Sequence, residues 1–340
     1  MNHVRNHEIT DYQALLGEDG RIGEPGFARQ PFWRYNRENI NAKRMQVKEW
    51  DYFLINDDTK GVAFTISDLG YMQMASVSVL DFVNHREHTR TVLAPPSLNF
   101  WMPVQSEEAV IQFKQGPLYL TYEYTGGRRR IFCHFKDFTK GADLRAELEL
   151  DGAPEESMNI AIPYADNVHF YYNQKINCFK ASGKVVCNWH VMKFNPEDAR
   201  GCMDWGRGVW PYHTHWYWAT ASGVVDGHEF GFNLGYGFGD ISAASENMVW
   251  YDGLMYKLDD VEFTIPRNPM RPWMVHSSDG LLKGGFSPDL DRYADINAGI
   301  VRSNQHQYFG LFDGTFEPAP GEVVHIHKLR CAIENIDNHY

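Results

Sequence analysis

The chain has 340 residues, 43% of them hydrophobic and 22% charged, which at roughly 150 residues per domain corresponds to about two domains of ordinary packed protein. This composition excludes a disordered chain and a collagen-like repeat. Lys and Arg total 32 against 44 Asp and Glu, so the formal net charge is −12. A negative charge of this size repels phosphate backbones and argues against nucleic acid as a partner.

Targeting and redox features point to a cytoplasmic protein. Residues 1–8 contain no apolar core of signal-peptide length, and no window approaches the roughly 18 apolar residues of a transmembrane segment. The cysteines are scattered and form no C-x-x-C pair, which argues against a disulfide framework or a zinc ribbon. They are Cys133, Cys178, Cys187, Cys202 and Cys331.

Strand-like runs occupy most of the first half of the chain. Runs rich in β-branched and aromatic residues predict a meander and then further consecutive antiparallel strands of one sheet. These runs are 50–55, 61–68, 71–82, 109–113, 118–124, 130–135 and 144–150. The polar stretch 151–157 then reads as a linker, so we predict an N-terminal half with an extended arm at 1–155 and a C-terminal half at 156–340.

Extended runs continue after the linker, and helical periodicity is nearly absent. The runs are 170–179, 184–192, 215–221, 223–234, 247–258, 261–265, 281–286, 306–316 and 322–333. Many short strands at a spacing of about 8–12 residues are typical of sandwiches and barrels. The predicted fold class is therefore all-β, with two consecutive antiparallel β-barrel or β-sandwich halves.

The densest group of chemically useful residues lies at 204–218. Asp204 and Arg207 stand three positions apart among tryptophans, so they could form a charge-assisted pair in a wall of low dielectric constant. An unpaired Asp204 would instead have a raised pKa and could act as a general acid. A purely structural alternative is that Asp204 and Arg207 pin a loop while the tryptophans are core.

A second group lies at 246–253. Alternation along a strand would place Glu246, Trp250 and Asp252 on one face, with two carboxylates flanking an indole. Such carboxylates could protonate an alkene and remove a proton elsewhere, while Trp216, Trp218 and Trp250 stabilise a carbocation by cation–π contact. The structural alternative is that Asp252 begins a hairpin turn and Glu246 caps a strand.

Two H-x-H pairs raise the question of a metal. His213 with His215, and His325 with His327, would each place two imidazoles on one strand face, and Glu246 or Asp204 could complete a ligand set. Such pairs also arise by chance among 15 histidines, so we predict no metal and no cofactor. The predicted ligand-binding residues are Trp210, Tyr212, His213, His215, Trp216, Trp218, Asn247 and Trp250.

Several segments together resemble a known family. They are 15–21, 26–31, 50–52, 203–211, 216–218, 231–235, 246–247, 252–253, 257–258 and 305–310. The chain resembles DUF2804, a bacterial and fungal family named for its unknown function, over nearly its whole length. That family is similar in turn to a calycin-like group that contains carotenoid 1,2-hydratases, tocopherol cyclases and some pericyclic natural-product enzymes.

The resemblance implies two β-barrel-like halves around an apolar cleft, and cofactor-free chemistry on an apolar or polyene molecule. The leading hypothesis is a hydratase, cyclase or isomerase that acts on a polyene or isoprenoid-like small molecule. Asp204 or Glu246 would donate the proton, Arg207 would orient the acid and Asp252 would be the partner base. Two alternatives stay open: a non-catalytic lipid or pigment carrier, and a carbohydrate-active β-sandwich protein.

Overall fold

The computed structural model describes residues 6–97, 100–188, 190–299 and 301–339. Strands make up 65% of the structure and helix only 2%, which confirms the all-β prediction. One sheet is nearly closed like a barrel and the other forms a half-barrel. Within the described residues, no helix is long and apolar enough to cross a membrane.

The strands that precede residue 210 are β1 (Gln13–Ala14), β2 (Gly26–Ala28), β3 (Trp33–Arg34), β4 (Val47–Asn56), β5 (Lys60–Asp68), β6 (Gln73–Asp81), β7 (Arg86–Ala94), β8 (Ala109–Gln115), β9 (Leu118–Thr125), β10 (Arg128–Thr139), β11 (Ala142–Asp151), β12 (Met158–Pro163), β13 (Phe170–Cys187), β14 (His190–Phe194) and β15 (Arg200–Val209). Short 3-10 helices span Arg37–Asn39 and Arg44–Gln46. The later strands are β16 (His213–Val225), β17 (His228–Tyr236), β18 (Met248–Tyr251), β19 (Leu254–Lys257), β20 (Val261–Thr264), β21 (Trp273–Ser277), β22 (Leu282–Ala298), β23 (Val301–Ala319) and β24 (Glu322–His339).

Two large antiparallel sheets account for most of these strands in the described part of the chain. The first runs in the order β7-β6-β5-β4-β15-β13-β11-β10-β9-β8, with β12 and β14 paired to β13, and β2 paired to β12. The second runs in the order β19-β18-β17-β16-β24-β23-β22-β21-β20. Most neighbours in the sheets are consecutive in sequence, as the predicted meanders require, but β15 inserts between β4 and β13.

The change of sheet lies later in the chain than the polar stretch 151–157. Strands β12 to β15 still pair into the first sheet, and the second sheet starts with β16 at His213. Residues 210–212 therefore carry the chain from one sheet to the other. A division of the chain into folding units at 155 and 156 stays a prediction, but it does not coincide with the division between sheets.

Strand β15 contradicts the alternative in which Asp204 and Arg207 pin a loop, because both residues lie inside this strand. All ten of its residues are buried, and it pairs with β4 on one side and β13 on the other. A strand that is buried on both faces shows no apolar–polar alternation, which is the pattern that identifies strands in a sequence. Its three glycines also favoured a loop, but Gly206 is required because the Trp50 ring lies where a Cβ would be.

Alternation along the strands sorts the apolar side chains into three layers. On β4, Phe53 and Ile55 point into the interior that the first sheet encloses, while Tyr52 and Leu54 point toward the second sheet. On β16, Ala219 and Ala221 point into the second sheet. The side chains between the sheets form the middle layer, to which Trp210, Trp218, Met248 and Trp250 belong.

A buried charge network occupies the interior of the first sheet. The fully buried Arg207 donates hydrogen bonds to the carbonyl oxygens of Trp50 and Pro103, and its Nη1 lies 2.9 Å from Oδ1 of Asp51. Asp51 also accepts a hydrogen bond of 2.6 Å from the Tyr124 hydroxyl. Burial raises the pKa of Asp51, and the Arg207 charge opposes that shift. The positive charge of Arg207 therefore compensates the negative charge of the buried Asp51 in the interior of the first sheet.

Replacing Arg207 with Leu should destabilise the protein by about 3–5 kcal/mol, because it leaves the Asp51 charge buried without its cation. The free energy of unfolding at pH 7 can be measured by urea denaturation. Arg130 is the matched control, since its ion pair with Glu149 lies on the exposed surface of the same sheet. Arg130→Leu should leave the urea midpoint nearly unchanged, and equal losses for both variants would contradict the role assigned to Arg207.

Candidate functional site

Ionisable side chains from both sheets meet in the middle layer. Lys175 comes from β13, Asp204 from β15 and Glu334 from β24, while Glu246 comes from the loop between β17 and β18. Burying charged groups is unfavourable unless they find partners or change protonation state. The partners of each acid therefore indicate which of them could take part in chemistry.

Asp204 is held as a structural anion. In the sheet register it lies directly between Lys175 and Tyr52. Its Oδ2 lies 2.5 Å from Nζ of Lys175, and its Oδ1 accepts hydrogen bonds of 2.7 Å from Asn173 and 3.1 Å from Trp50. Both carboxylate oxygens of Asp204 are thus occupied by partners from the protein, which suits a structural role.

Asp204 and Arg207 do not pair with each other, contrary to the sequence expectation. Residues three positions apart in a strand lie on opposite faces, so Asp204 faces the middle layer and Arg207 the interior of the first sheet. The cation beside Asp204 is Lys175 instead. Lys175 was missed, although a lysine within the aromatic run 170–179 was a sign of a paired buried charge.

Glu246 has the properties expected of a general acid. Its Oε2 accepts a hydrogen bond of 2.9 Å from the Tyr171 hydroxyl, and the buried Oε1 has no hydrogen-bond partner among the described residues. Burial is the largest cause that raises its pKa, to about 7; Asp204 adds to the shift and Lys175 opposes it. Near neutral pH this carboxyl group is therefore partly protonated.

The backbone around Glu246 is shaped to receive its carboxyl group. A Cβ on Gly235 would lie 2.2 Å from Oε1, so only glycine leaves room for that oxygen. Asn233 donates a hydrogen bond of 2.9 Å to the Glu246 carbonyl oxygen. Asn247, a predicted ligand-binding residue, instead holds the loop, because its Oδ1 accepts from Gly235 and its Nδ2 donates to Asp259.

Glu334 is a second acid with a raised pKa, and sequence reasoning missed it. Its Oε1 accepts a hydrogen bond of 2.8 Å from Gln307, and its Oε2 lies 3.4 Å from Nε1 of Trp216. Burial raises its pKa to about 7, against the opposing charge of Arg292. A single glutamate at the expected end of a strand predicts a solvent-exposed residue, so no local pattern identified it as a site residue.

Trp218 lies between the two acids in the second sheet. On one side Trp218 is paired with Gly235 of β17, and the carboxyl group of Glu246 lies against that glycine. On the other side it is paired with Glu334 of β24. Its Nε1 donates a hydrogen bond of 2.7 Å to Asn233, and Nζ of Lys175 lies 4.4 Å from the centre of its ring. The predicted cation–π role of Trp218 is therefore already filled by Lys175 in this structure.

Six rings form an aromatic cage beside the acids. Trp210 is central, with ring centroids 5.3–6.4 Å from those of the other five. The cage consists of Trp50, Tyr164, Tyr171, Trp210, Trp216 and Phe238. Trp50, Tyr164 and Trp216 are partly exposed and form the rim. The buried Nε1 of Trp210 has no hydrogen-bond partner among the described residues.

Each of the three carboxyl groups receives a hydrogen bond from the cage. Trp50 donates to Asp204 and Tyr171 donates to Glu246. Trp216 donates to Glu334. The cage and the acids are thus one connected unit, and a shift of any of these rings would change the environment of an acid.

Asp252 lies outside this unit. It occupies the turn between β18 and β19 with a φ of 48°, and its exposed carboxylate lies 2.6 Å from Nδ1 of His228. Glu246 lies in the loop before β18, so it does not belong to the alternation of side chains along that strand. The expectation that Glu246, Trp250 and Asp252 share one strand face is therefore wrong, because the strand is too short to contain both acids.

Trp250 and Asp252 line a groove of about 630 Å³ at another part of the middle layer. Its remaining lining residues are Gly152, Ala153, Pro154, Glu155, Cys178, Glu229, Gly253 and Leu254. The rings of the cage do not line this groove, and neither do Asp204, Glu246 and Glu334. Trp250 is itself buried, and its Nε1 donates a hydrogen bond of 2.9 Å to the Glu156 carbonyl oxygen.

The predicted residues at the start of β16 are also separate from the acids. Tyr212, His213 and His215 are exposed. His213 and His215 lie on the face of β16 opposite Trp216 and Trp218, so neither Glu246 nor Asp204 can complete a metal site with them. His325 and His327 are exposed on β24, with ring centroids 6.4 Å apart.

Glu246→Gln should make the free energy of unfolding less sensitive to a rise in pH between about 4.5 and 7. Folding raises the Glu246 pKa from 4.5 to about 7, so the folded protein holds a proton that the unfolded chain has lost, and stability falls between those pH values. Relative to wild type, the variant should gain about 3 kcal/mol on going from pH 4 to pH 8. Urea denaturation measures this difference. Asp252→Asn is the control, and a Glu246→Gln profile parallel to wild type would contradict the raised pKa.

Comparison with solved structures relates the fold to other two-sheet proteins. A provisionally named AttH from Nitrosomonas europaea superposes with a TM-score of 0.54 at 11% identity, over 90% of this chain and 98% of that one. Kievitone hydratase from Nectria haematococca gives a TM-score of 0.49 at 11% identity, over 86% and 88% of the two chains. CghA with Sch210972 gives 0.47 at 11% identity, over 95% and 97%.

The match to the Nitrosomonas europaea protein shows a shared fold, and at 11% identity it shows nothing about the reaction. No curated protein matches the sequence. The family model of DUF2804, a domain of unknown function, matches residues 6–340. The resemblance found in the sequence motifs is thereby confirmed, and the chain belongs to the DUF2804 family.

Proposed function

We propose that this protein is a cofactor-independent enzyme of the hydratase, cyclase or isomerase type, which acts by general-acid chemistry in the middle layer. The observation that carries the proposal is Glu246: a buried carboxyl group with a pKa near 7, one oxygen that no described residue bonds, and an aromatic cage beside it. A general acid works best when its pKa lies near the working pH.

Glu246 would donate its proton to a carbon–carbon double bond of the substrate. The electron-rich faces of Trp210 and Trp216 would stabilise the positive charge that forms on the neighbouring carbon. A carbocation in a dry, preorganised site is stabilised more than in water, because the surrounding dipoles are already oriented.

Glu334 would be the partner base. Its pKa is also raised to about 7, so near neutral pH one member of the Glu246–Glu334 pair can be protonated while the other is ionised. The ionised Glu334 would take a proton from an attacking water, which gives hydration, or from an adjacent carbon, which gives isomerisation or cyclisation. This role replaces the one that the sequence suggested for Asp252.

The proposed substrate is an apolar small molecule of polyene or isoprenoid type. The cage offers flat aromatic faces, and the donors of Trp50, Tyr171 and Trp216 are already bonded to the acids, which suits an apolar ligand better than a sugar. Its rings are in contact with one another, so a ligand enters when the partly exposed Trp50 and Trp216 swing outward. The two sheets supply a rigid frame on either side.

A non-catalytic carrier of a lipid or pigment is the main alternative. A carrier needs every buried acid to be neutralised, and Asp204 meets that requirement through Lys175. Glu246 does not, because Oε1 is buried without a partner among the described residues. This difference favours the enzyme.

A cytoplasmic location forms part of the proposal. All five cysteines are free thiols, which suits a reducing compartment.

The enzyme should transfer solvent hydrogen to its substrate. Small molecules that co-purify with the protein can be identified by native mass spectrometry, extracted, and returned to stripped protein in D₂O. Wild type should incorporate deuterium at a carbon atom of the molecule. Glu246→Gln should lower the rate of deuterium incorporation by at least about 100-fold while still binding the molecule. Asp252→Asn should behave like wild type. Binding without deuterium incorporation by wild type would identify a carrier instead.

Retinol, a conjugated isoprenoid, should bind in the cage and quench tryptophan fluorescence. Trp216→Ala should weaken binding, because it removes one wall of the cage. Trp101→Ala is the control, since Trp101 is 61% exposed and lies outside the cage. Equal quenching by retinol in wild type and Trp216→Ala would place apolar ligands elsewhere, with the groove beside Trp250 as the next site to test.

A further inference from the structure

A second cluster of ionisable groups lies at the end of the second sheet, on the face of β16 that points away from the acids. His213 on β16 is paired in the register with His339 on β24, and Asp337 lies two residues before His339 on the same face. The sequence pattern suggested His213 with His215. The structure instead brings together residues that are more than 120 positions apart in sequence.

The three side chains converge on a small volume. Nε2 of His213 lies 3.1 Å from Oδ2 of Asp337, and Nδ1 of His339 lies 3.4 Å from Oδ1 of Asp337. One potential ligand atom from each residue lies within 4.8 Å of the other two. The two imidazole rings are stacked, with centroids 4.1 Å apart and an interplanar angle of 10°, so one ring has to turn about its Cβ–Cγ bond before both nitrogens can direct their lone pairs at one ion.

These separations suit a metal ion. Atoms that bind zinc tetrahedrally at about 2.0–2.2 Å lie about 3.4 Å from one another. Two imidazoles and one carboxylate are a ligand set that late first-row divalent cations accept, with positions left for water or a small ligand. The backbone positions of the three residues are set by the pairing of β16 with β24, so only side-chain rotation is needed to form the site.

We propose that His213, Asp337 and His339 form a binding site for a divalent transition-metal ion of the Zn²⁺ class. The ion would join the first strand of the second sheet to β24, close to the segment 210–212 that links the two sheets. The site lies on the opposite face of β16 from Trp216 and Trp218, so it is separate from the proposed acid chemistry.

One nearby charge opposes the ion. Arg302 on β23 is paired with His339 in the register and is exposed. Its positive charge lowers the affinity for a cation, so Arg302→Gln should bind Zn²⁺ more tightly than wild type. A site created only by scattered surface histidines would show no such dependence.

Zn²⁺ binding can be measured by isothermal titration calorimetry on chelator-treated, untagged protein at pH 7.5. Wild type should bind one saturable equivalent. Asp337→Asn and His339→Ala should each weaken that binding by more than the about 10–100-fold that loss of a second-shell partner costs. The double variant His325→Ala, His327→Ala is the matched control, because it removes an exposed histidine pair elsewhere on β24 and should keep the full equivalent.

Two further readouts test the site itself. Co²⁺ should give the visible absorption of a four-coordinate ion in wild type and lose it in His339→Ala. Zn²⁺ should be released below about pH 6, because protonated histidine cannot bind a metal. Circular dichroism confirms that each variant is folded. Absence of saturable Zn²⁺ binding in wild type, or unchanged binding in both ligand variants, would overturn the proposal.

Discussion

Burial of opposite charges on the two faces of one strand is the constraint on which the rest of this structure depends. Strand β15 lies in the middle of the first sheet with no exposed residue. Arg207 points inward to Asp51, and Asp204 points outward to Lys175. A buried ion is tolerated only when a partner and hydrogen bonds replace its water. The neighbouring strands β4 and β13 therefore have to supply matched groups on both faces, in the register that the structure shows.

Charge compensation differs between the two faces. Inside the first sheet, Arg207 and its acids satisfy one another, which suits a stabilising role. In the middle layer, Lys175 pairs with Asp204, but no described cation lies as close to Glu246 or Glu334, and burial raises the pKa of each to about 7. Pairs of acids whose environments hold their pKa values near neutrality are typical of acid–base sites. The middle layer is therefore where chemistry is best supported.

The aromatic residues of the middle layer serve packing and polarity together. Trp50, Tyr171 and Trp216 each bury a ring in the cage, and each uses its single polar group to donate to a different acid. Such side chains can be buried at low energetic cost, because the polar end finds a partner while the ring excludes water. The same arrangement couples the position of the rings to the protonation of the acids.

The sequence by itself determined the all-β class, the meander order of most strands and the family. Strand periodicity and motif spacing are local properties, so they can be read from consecutive residues. It could not show that 203–209 is a central strand, since a doubly buried strand has no alternation, nor that Asp204 and Arg207 face opposite ways. Only the tertiary structure decided that Lys175 lies beside Asp204 and that Glu334 lies beside Trp216. It alone also brought His213 together with Asp337 and His339. Those contacts join distant parts of the chain, and they are set by the register between strands and by the way two sheets pack face to face.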